Sequence, residues 1–311
     1  MMEPPQFADE PSLPGGPPGL EPRTSFLKRV QPVTFAVIAL FVVFFLYQFV
    51  AGGLTLILFK GKITDDNVDF VRWSTLAGQA LCILLPTILL VRARHQNLAG
   101  YFRFHIPDPA QMILTVVSVF ALQQMLQGYM AVQDAIPLPP MVKEIVDTVK
   151  KLFEETYRIL VSARSPGEFV MVIFSVALIP AFAEELLFRG LVQRSMEQAA
   201  GGLRGAVITG LIFGAYHLNP FSFVPLAALG IYFGFIVHRS QNISLAISAH
   251  FFNNFIACVA VYLKLSDDFV AVAPAGNPTT GMMVMNFALF TLVFVGATSY
   301  FVVLTKQSDT A

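Results

Sequence analysis

Cysteine is scarce in this chain of 311 residues: Cys82 and Cys258 are the only two. Both fall inside apolar runs, which excludes a disulfide framework and a thiolate metal set. Charge is scarce as well, at 13% of residues with a formal net charge of +0. There is no basic stripe of the kind a nucleic acid requires, so no nucleic-acid partner is expected. An HExxH helix, the commonest sequence mark of a zinc peptidase, is missing. No internal repeat is visible, which counts against a transporter built from duplicated halves. Apolar residues, by contrast, make up 55% of the chain, and the mean hydropathy is +0.66. Soluble domains carry about 25% charged residues. The composition therefore reads as all-α, a polytopic membrane helix bundle.

Runs of about twenty apolar residues give about eight candidate transmembrane helices. They lie near residues 33–59, 73–91, 111–133, 169–193, 205–218, 221–238, 243–263 and 282–304. The fifth and sixth are short and are parted only by Asn219-Pro220, the signal of a tight helical hairpin. The first outlasts the roughly 7–15 residues of a signal-peptide core, so it is expected to remain as an anchor. Residues 1–30 read as a disordered cytoplasmic tail, because Pro4, Pro5, Pro11, Pro14, Pro17, Pro18 and Pro22 crowd a stretch with few bulky apolar side chains. Residues 31–135 hold the N-terminal transmembrane helices, and 266–311 a loop, the last transmembrane helix and a short tail.

Arg23, Lys28 and Arg29 precede the first span, and Arg92, Arg94 and Arg103 follow the second. By the bias of Lys and Arg toward the cytoplasm, both termini are cytoplasmic. Segment 136–166 is read as extramembrane. Within it, Val142, Ile145, Val146, Val149, Leu152 and Phe153 recur at helical spacing opposite Glu144, Asp147, Glu154 and Glu155, which predicts an amphipathic helix on the membrane surface. That placement puts Lys143, Lys150, Lys151 and Arg158 outside, against the rule. Gln123, Gln124 and Gln127 also make the preceding span polar, and if it failed to cross, the later topology would invert.

Chemistry is concentrated in three later segments. Glu184 and Glu185 stand side by side in AFAEELLFRG, inside a run that otherwise reads as a membrane helix. An ionisable group near a bilayer centre costs about 2.5 kcal/mol or more, so such groups usually face an internal cavity and serve a function. Glu185 and Arg189 are four apart and share a helix face, whereas Glu184 is turned about 100° away. Pairing of Glu185 with Arg189 leaves Glu184 free to take and return protons as a general base. Phe213 with His217, and His250 with Asn254, repeat the four-residue spacing on two further helices. Counting inward from Arg194, Arg204 and Gln241 puts Glu184, His217 and His250 at about 13–20 Å depth, so the three clusters could meet. No serine or cysteine falls at a spacing that suggests a nucleophile.

Glu184-Glu185 with Arg189, Phe213 with His217, and His250 with Asn254 occur in an order that resembles the CAAX protease and bacteriocin-processing (CPBP, or Abi) intramembrane proteases, relatives of the type II CAAX prenyl endopeptidases. The resemblance makes 167–265 the catalytic core. It implies hydrolysis of a peptide bond in a membrane-embedded or lipid-anchored substrate. Glu184, oriented with His217, would activate water; His250 and Asn254 would donate to the oxyanion; Glu185 and Arg189 would hold the site in shape. Substrates in the family range from prenylated C-terminal peptides to peptides linked to bacteriocin immunity. The expected location is the plasma (cytoplasmic) membrane. A metal is left open: Glu184, His217 and His250 form a donor set of the type that holds Zn2+ with water. A non-catalytic immunity or scaffold protein of the same fold, and a proton-coupled transporter, are the rival readings.

Overall fold

The computed structural model describes residues 29–59, 63–64, 66–264 and 280–307. Residues 1–28, where the disordered tail is expected, and most of the loop expected after residue 265 lie outside the described residues. In lipid, every backbone N–H and C=O of an apolar run must be satisfied within the protein, which favours helices. Helices alone, with no strand, form the regular structure of the described residues. In chain order they are α1 (Pro32–Phe59), α2 (Val68–Arg94), α3 (Leu98–Phe102), α4 (Pro109–Asp134) and α5 (Pro140–Val161). They continue with α6 (Pro166–Ala200), α7 (Gly202–Tyr216), α8 (Phe223–Ser240), α9 (Ile243–Tyr262) and α10 (Thr280–Gln307). Starts are set locally. Proline occupies the first turn of α1, α4, α5 and α6, where its missing N–H costs nothing. Asp108, Ser165 and Asn242 cap α4, α6 and α9 by accepting backbone N–H groups.

The protein is an integral, multi-pass membrane protein: α1, α2, α4, α6, α8, α9 and most of α10 are long and apolar enough to cross. The remaining expected span is a helix that falls short. α7 has 15 residues, about 22 Å at 1.5 Å per residue, against a hydrocarbon core of about 30 Å. The bundle has two distinct ends. At the first, Arg194 donates to the Gly100 and Tyr101 carbonyls, Arg103 pairs with Glu197, and the Arg103 carbonyl accepts from Ile243 N. At the second, Gln133 donates to the Phe221 carbonyl and Lys150 pairs with Asp134. α4 joins the two ends despite its glutamines.

α5 lies at the second end. Val142, Ile145, Val149 and Leu152 form an exposed apolar stripe, while Lys143–Asp147 and Lys151–Glu155 pair along the helix. Such an arrangement suits a helix at a lipid surface. Its C-terminal end is fixed by Arg72, which is only 1% exposed and donates to the carbonyls of Ile159, Leu160 and Ser162 as well as to Asp69. These carbonyls are the ones a helix end leaves without partners, and a cation there also suits the helix dipole. Arg72→Gln should cost about 1.5–3 kcal/mol, the range for hydrogen bonds from a charged group. The check is hydrogen exchange over residues 158–163, which should quicken at least tenfold while α9 is unchanged.

Among the described residues four π-helical turns interrupt the spans, at Phe45–Ala51 in α1, Gln79–Leu84 in α2, and Ile173–Leu178 and Leu186–Gln193 in α6. Such turns are rare and recur at functional sites, because one extra residue per turn frees a carbonyl and re-aims the side chains. Three of them, at Phe45–Ala51, Gln79–Leu84 and Leu186–Gln193, supply residues to one cavity.

Candidate active site

Glu184 stands near the middle of α6, and His217 caps the C-terminus of α7. Both helices leave the turn at Gly201 (φ 88°), where glycine is needed for the positive dihedral. The two residues lie almost equally far along the chain from that turn, so they arrive at similar depth. The early end of α7 is what leaves the imidazole inside the bundle.

Glu184 Oε2 lies 3.8 Å from His217 Nε2. His217 Nδ1 is 2.8 Å from the Phe213 carbonyl oxygen. A carbonyl only accepts, so Nδ1 carries a proton, and Nε2 of the neutral ring presents a lone pair. Glu184 Oε2 has no hydrogen-bond partner of its own. A separation of 3.8 Å is too long for a direct hydrogen bond. Both groups line a cavity of about 160 Å³ walled by Tyr47 and Gln48 of α1, Ile83 of α2, Leu187 and Phe188 of α6, and Tyr216. Tyr216 is held by donating to the Leu40 carbonyl at 3.2 Å. A second, shallower depression beside the α7–α8 turn, between Leu218, Pro220 and Phe223, presents no ionisable side chain.

Glu185 points elsewhere and is completely enclosed. Its Oε1 accepts from Arg189 Nη1 at 2.8 Å and from His250 Nδ1 at 2.8 Å. Arg189 Nη2 donates to the Gly230 carbonyl at 2.9 Å, and its guanidinium lies 4.6 Å from the Phe213 ring centroid and 5.3 Å from that of Phe233. Burying an ion pair costs several kcal/mol per ion unless its geometry is well satisfied. Two donors on one carboxylate oxygen and aromatic faces around the cation offset that cost. One turn on, Gln193 Nε2 donates to the Gly234 carbonyl at 2.9 Å, so residues four apart on α6 grip glycine carbonyls four apart on α8. Gly230 also lets α7 pack close on the other side of α8: a Cβ there would stand 2.9 Å from the Gly210 carbonyl oxygen.

Asn254 Nδ2 donates to the Val176 carbonyl at 3.0 Å, inside a π-helical turn of α6. The six expected residues therefore fall into two linked groups. Glu184 and His217 face the cavity; Glu185, Arg189 and His250 form a sealed network behind it, with Asn254 tied to the α6 backbone. His250 and Asn254 are held by partners behind the cavity rather than on its wall. His250 is turned to Glu185, and neither residue is among those lining the cavity. For the same reason Glu184, His217 and His250 do not come together as a ligand set. Among the described residues no group of three His, Cys, Asp or Glu side chains is placed to hold a metal ion.

Tyr47, Gln48 and Tyr216 are cavity residues that the sequence analysis did not single out. Polar-tipped side chains in the middle of an apolar span are the signal that could have found Tyr47 and Gln48.

Residues 166–256 match the family model described as type II CAAX prenyl endopeptidase, Rce1-like. The matched segment runs from the start of α6 into α9 and contains Glu184, Glu185, Arg189, His217, His250 and Asn254. Comparison with curated proteins and with solved structures gave no match.

Proposed function

We propose that this membrane protein, which carries the core of a CAAX-type protease, hydrolyses a peptide bond of a membrane-embedded or lipid-anchored substrate with water activated by Glu184 and His217. The observation that carries this is the facing pair in the cavity, an unpaired carboxylate oxygen 3.8 Å from an imidazole nitrogen. One water can donate one proton to Glu184 Oε2 and the other to His217 Nε2, which leaves its lone pairs to attack a carbonyl carbon. Glu184 takes the proton as the C–O bond forms and the carbonyl electrons move onto oxygen. It then gives that proton to the departing amide nitrogen as the C–N bond breaks.

His250 and Asn254 are the proposed oxyanion donors. Asn254 would use the second amide hydrogen left once Val176 is served, and His250 would use Nε2, which donates in the imidazolium form of a ring whose Nδ1–H is already given to Glu185. One such donor is worth about 3–4 kcal/mol in other hydrolases. Glu185 and Arg189 would fix the His250 ring. The steps rest on these side chains, and none is routed through a metal.

The end of the bundle that carries Arg94, Arg103, Arg194, Arg204 and Arg239 is the proposed cytoplasmic end, in the plasma membrane. This puts the starts of α1 and α4 and the end of α10 on that side.

The test is a pool of membrane-tethered peptides, prenylated and unprenylated, incubated with the purified chain in liposomes and read by mass spectrometry. Products that form with wild type and are missing with Glu184→Gln would support the proposal and give the cleavage site. Equal products from both proteins would overturn the assignment of Glu184, and no product from either would favour a non-catalytic member of the fold.

A further inference from the structure

At the first end of the bundle three guanidinium groups converge where α1, α2, α3 and α6 meet. Arg194 lies over the Tyr101 ring at 4.7 Å and donates to the Gly100 and Tyr101 carbonyls. Arg94 lies over Phe35 at 4.9 Å, and Arg94 and Arg103 both act on the Tyr101 hydroxyl electrostatically. The carboxylate that answers them is Glu197, and it is already shared. Its Oε2 takes Arg103, while its Oε1 accepts from Gln193 at 2.8 Å and lies 3.9 Å from His238 Nδ1. Two donors are left over: Arg94 Nη1 and Arg103 Nη1 are enclosed and have no acceptor.

Arg103 itself is nine-tenths buried and sits at φ 59°, in the left-handed region at the C-terminus of α3. Glycine or asparagine is the usual occupant of such a position. A long cation placed there is explained by its side chain rather than its backbone. Enclosed guanidinium N–H groups without acceptors are costly, and a planar fork of donors matches the oxygens of a phosphate. The cluster also stands at the boundary of the apolar spans, at the level where lipid headgroups lie, and basic pockets between transmembrane helices suit anionic headgroups.

We propose that Arg94, Arg103 and Arg194 form a binding site for a phosphate-type anion, supplied by an anionic lipid headgroup or by a soluble phosphate. The site is separate from the Glu184 cavity and does not depend on peptidase activity.

Native mass spectrometry of the purified full-length chain, given equal dioleoylphosphatidylglycerol and dioleoylphosphatidylcholine, tests the lipid source. Wild type should retain the phosphatidylglycerol at least about fivefold better, and Arg94→Gln and Arg103→Gln should each lower that preference about fivefold. Arg92→Gln, whose parent side chain is exposed and donates to the Gln96 carbonyl, should leave it unchanged. Thermal unfolding in inorganic phosphate against chloride at matched ionic strength tests the soluble source. A phosphate-specific rise in melting temperature that vanishes in Arg94→Gln, without a lipid preference, would uphold the site and name that source. If Arg103→Gln does not fold, Arg94→Gln decides, with Arg94→Lys expected to keep part of the preference. Absence of selectivity in both arms, or selectivity that survives in Arg94→Gln, would overturn the proposal.

Discussion

Arg189→Met is expected to destabilise the bundle by about 3–5 kcal/mol, the range for removing one partner of a buried ion pair. The reason lies in what the substitution leaves behind. Glu185 would remain enclosed with a single donor, His250 Nδ1, and the Gly230 carbonyl would lose the hydrogen bond that ties α6 to α8. Methionine fills similar volume between Phe213 and Phe233, so little of the effect comes from a void. Adding Glu185→Gln to Arg189→Met should restore part of the loss, because the uncompensated charge is then gone. The measurement is thermal unfolding of the detergent-solubilised single and double variants. A single variant within about 1 kcal/mol of wild type would mean that the charge of Glu185 is balanced by something other than Arg189.

One residue earlier, the same kind of exchange should act on rate and not on stability. Glu184→Gln is expected to lower peptide cleavage about 10²- to 10⁴-fold, the range for a general acid-base group, while the melting temperature holds or rises. Glu184 Oε2 has no hydrogen-bond partner to lose, and a neutral amide is cheaper than a carboxylate in a cavity walled by Leu187, Phe188 and Ile83. Glu185→Gln, by contrast, should lower the melting temperature by several degrees, since both Arg189 and His250 lose their anion. Single-turnover cleavage and unfolding of the two variants, measured side by side, separate the roles. A rate for Glu184→Gln within tenfold of wild type would remove it from the chemistry.

What the sequence disclosed depended on range. Glu185 and Arg189 share a face because four residues make about one helical turn, so their pairing is legible from spacing. The pairing of His250 with Glu185 joins residues 65 apart in sequence, and no periodicity reports it. That long-range bond fixes the His250 ring through Nδ1. Apolar run length located the spans, including α4 with Gln123, Gln124 and Gln127 in its middle. It overstated α7, because a run that continues through Tyr216 looks the same whether the helix crosses or stops inside. The π-helical turns were beyond reach, since they follow from packing between spans and not from a residue preference. Tyr47 was hidden for a simpler reason: one hydroxyl in a run of phenylalanine and valine barely changes its hydropathy.

The depth of the cavity bears on the proposed turnover. Tyr47, Ile83 and Glu184 each lie near the middle of their spans, and the walls between them are largely hydrocarbon. In the proposed hydrolysis a peptide bond would enter such a place uncharged, and the products would be a carboxylate and an ammonium group. A carboxylate formed next to Glu184 would be repelled by it, and a free ion in surroundings of low polarity gains several kcal/mol by returning to water. Substrate and products thus differ in how well this space tolerates them, and the chemical step itself would supply the force that empties the site for the next round.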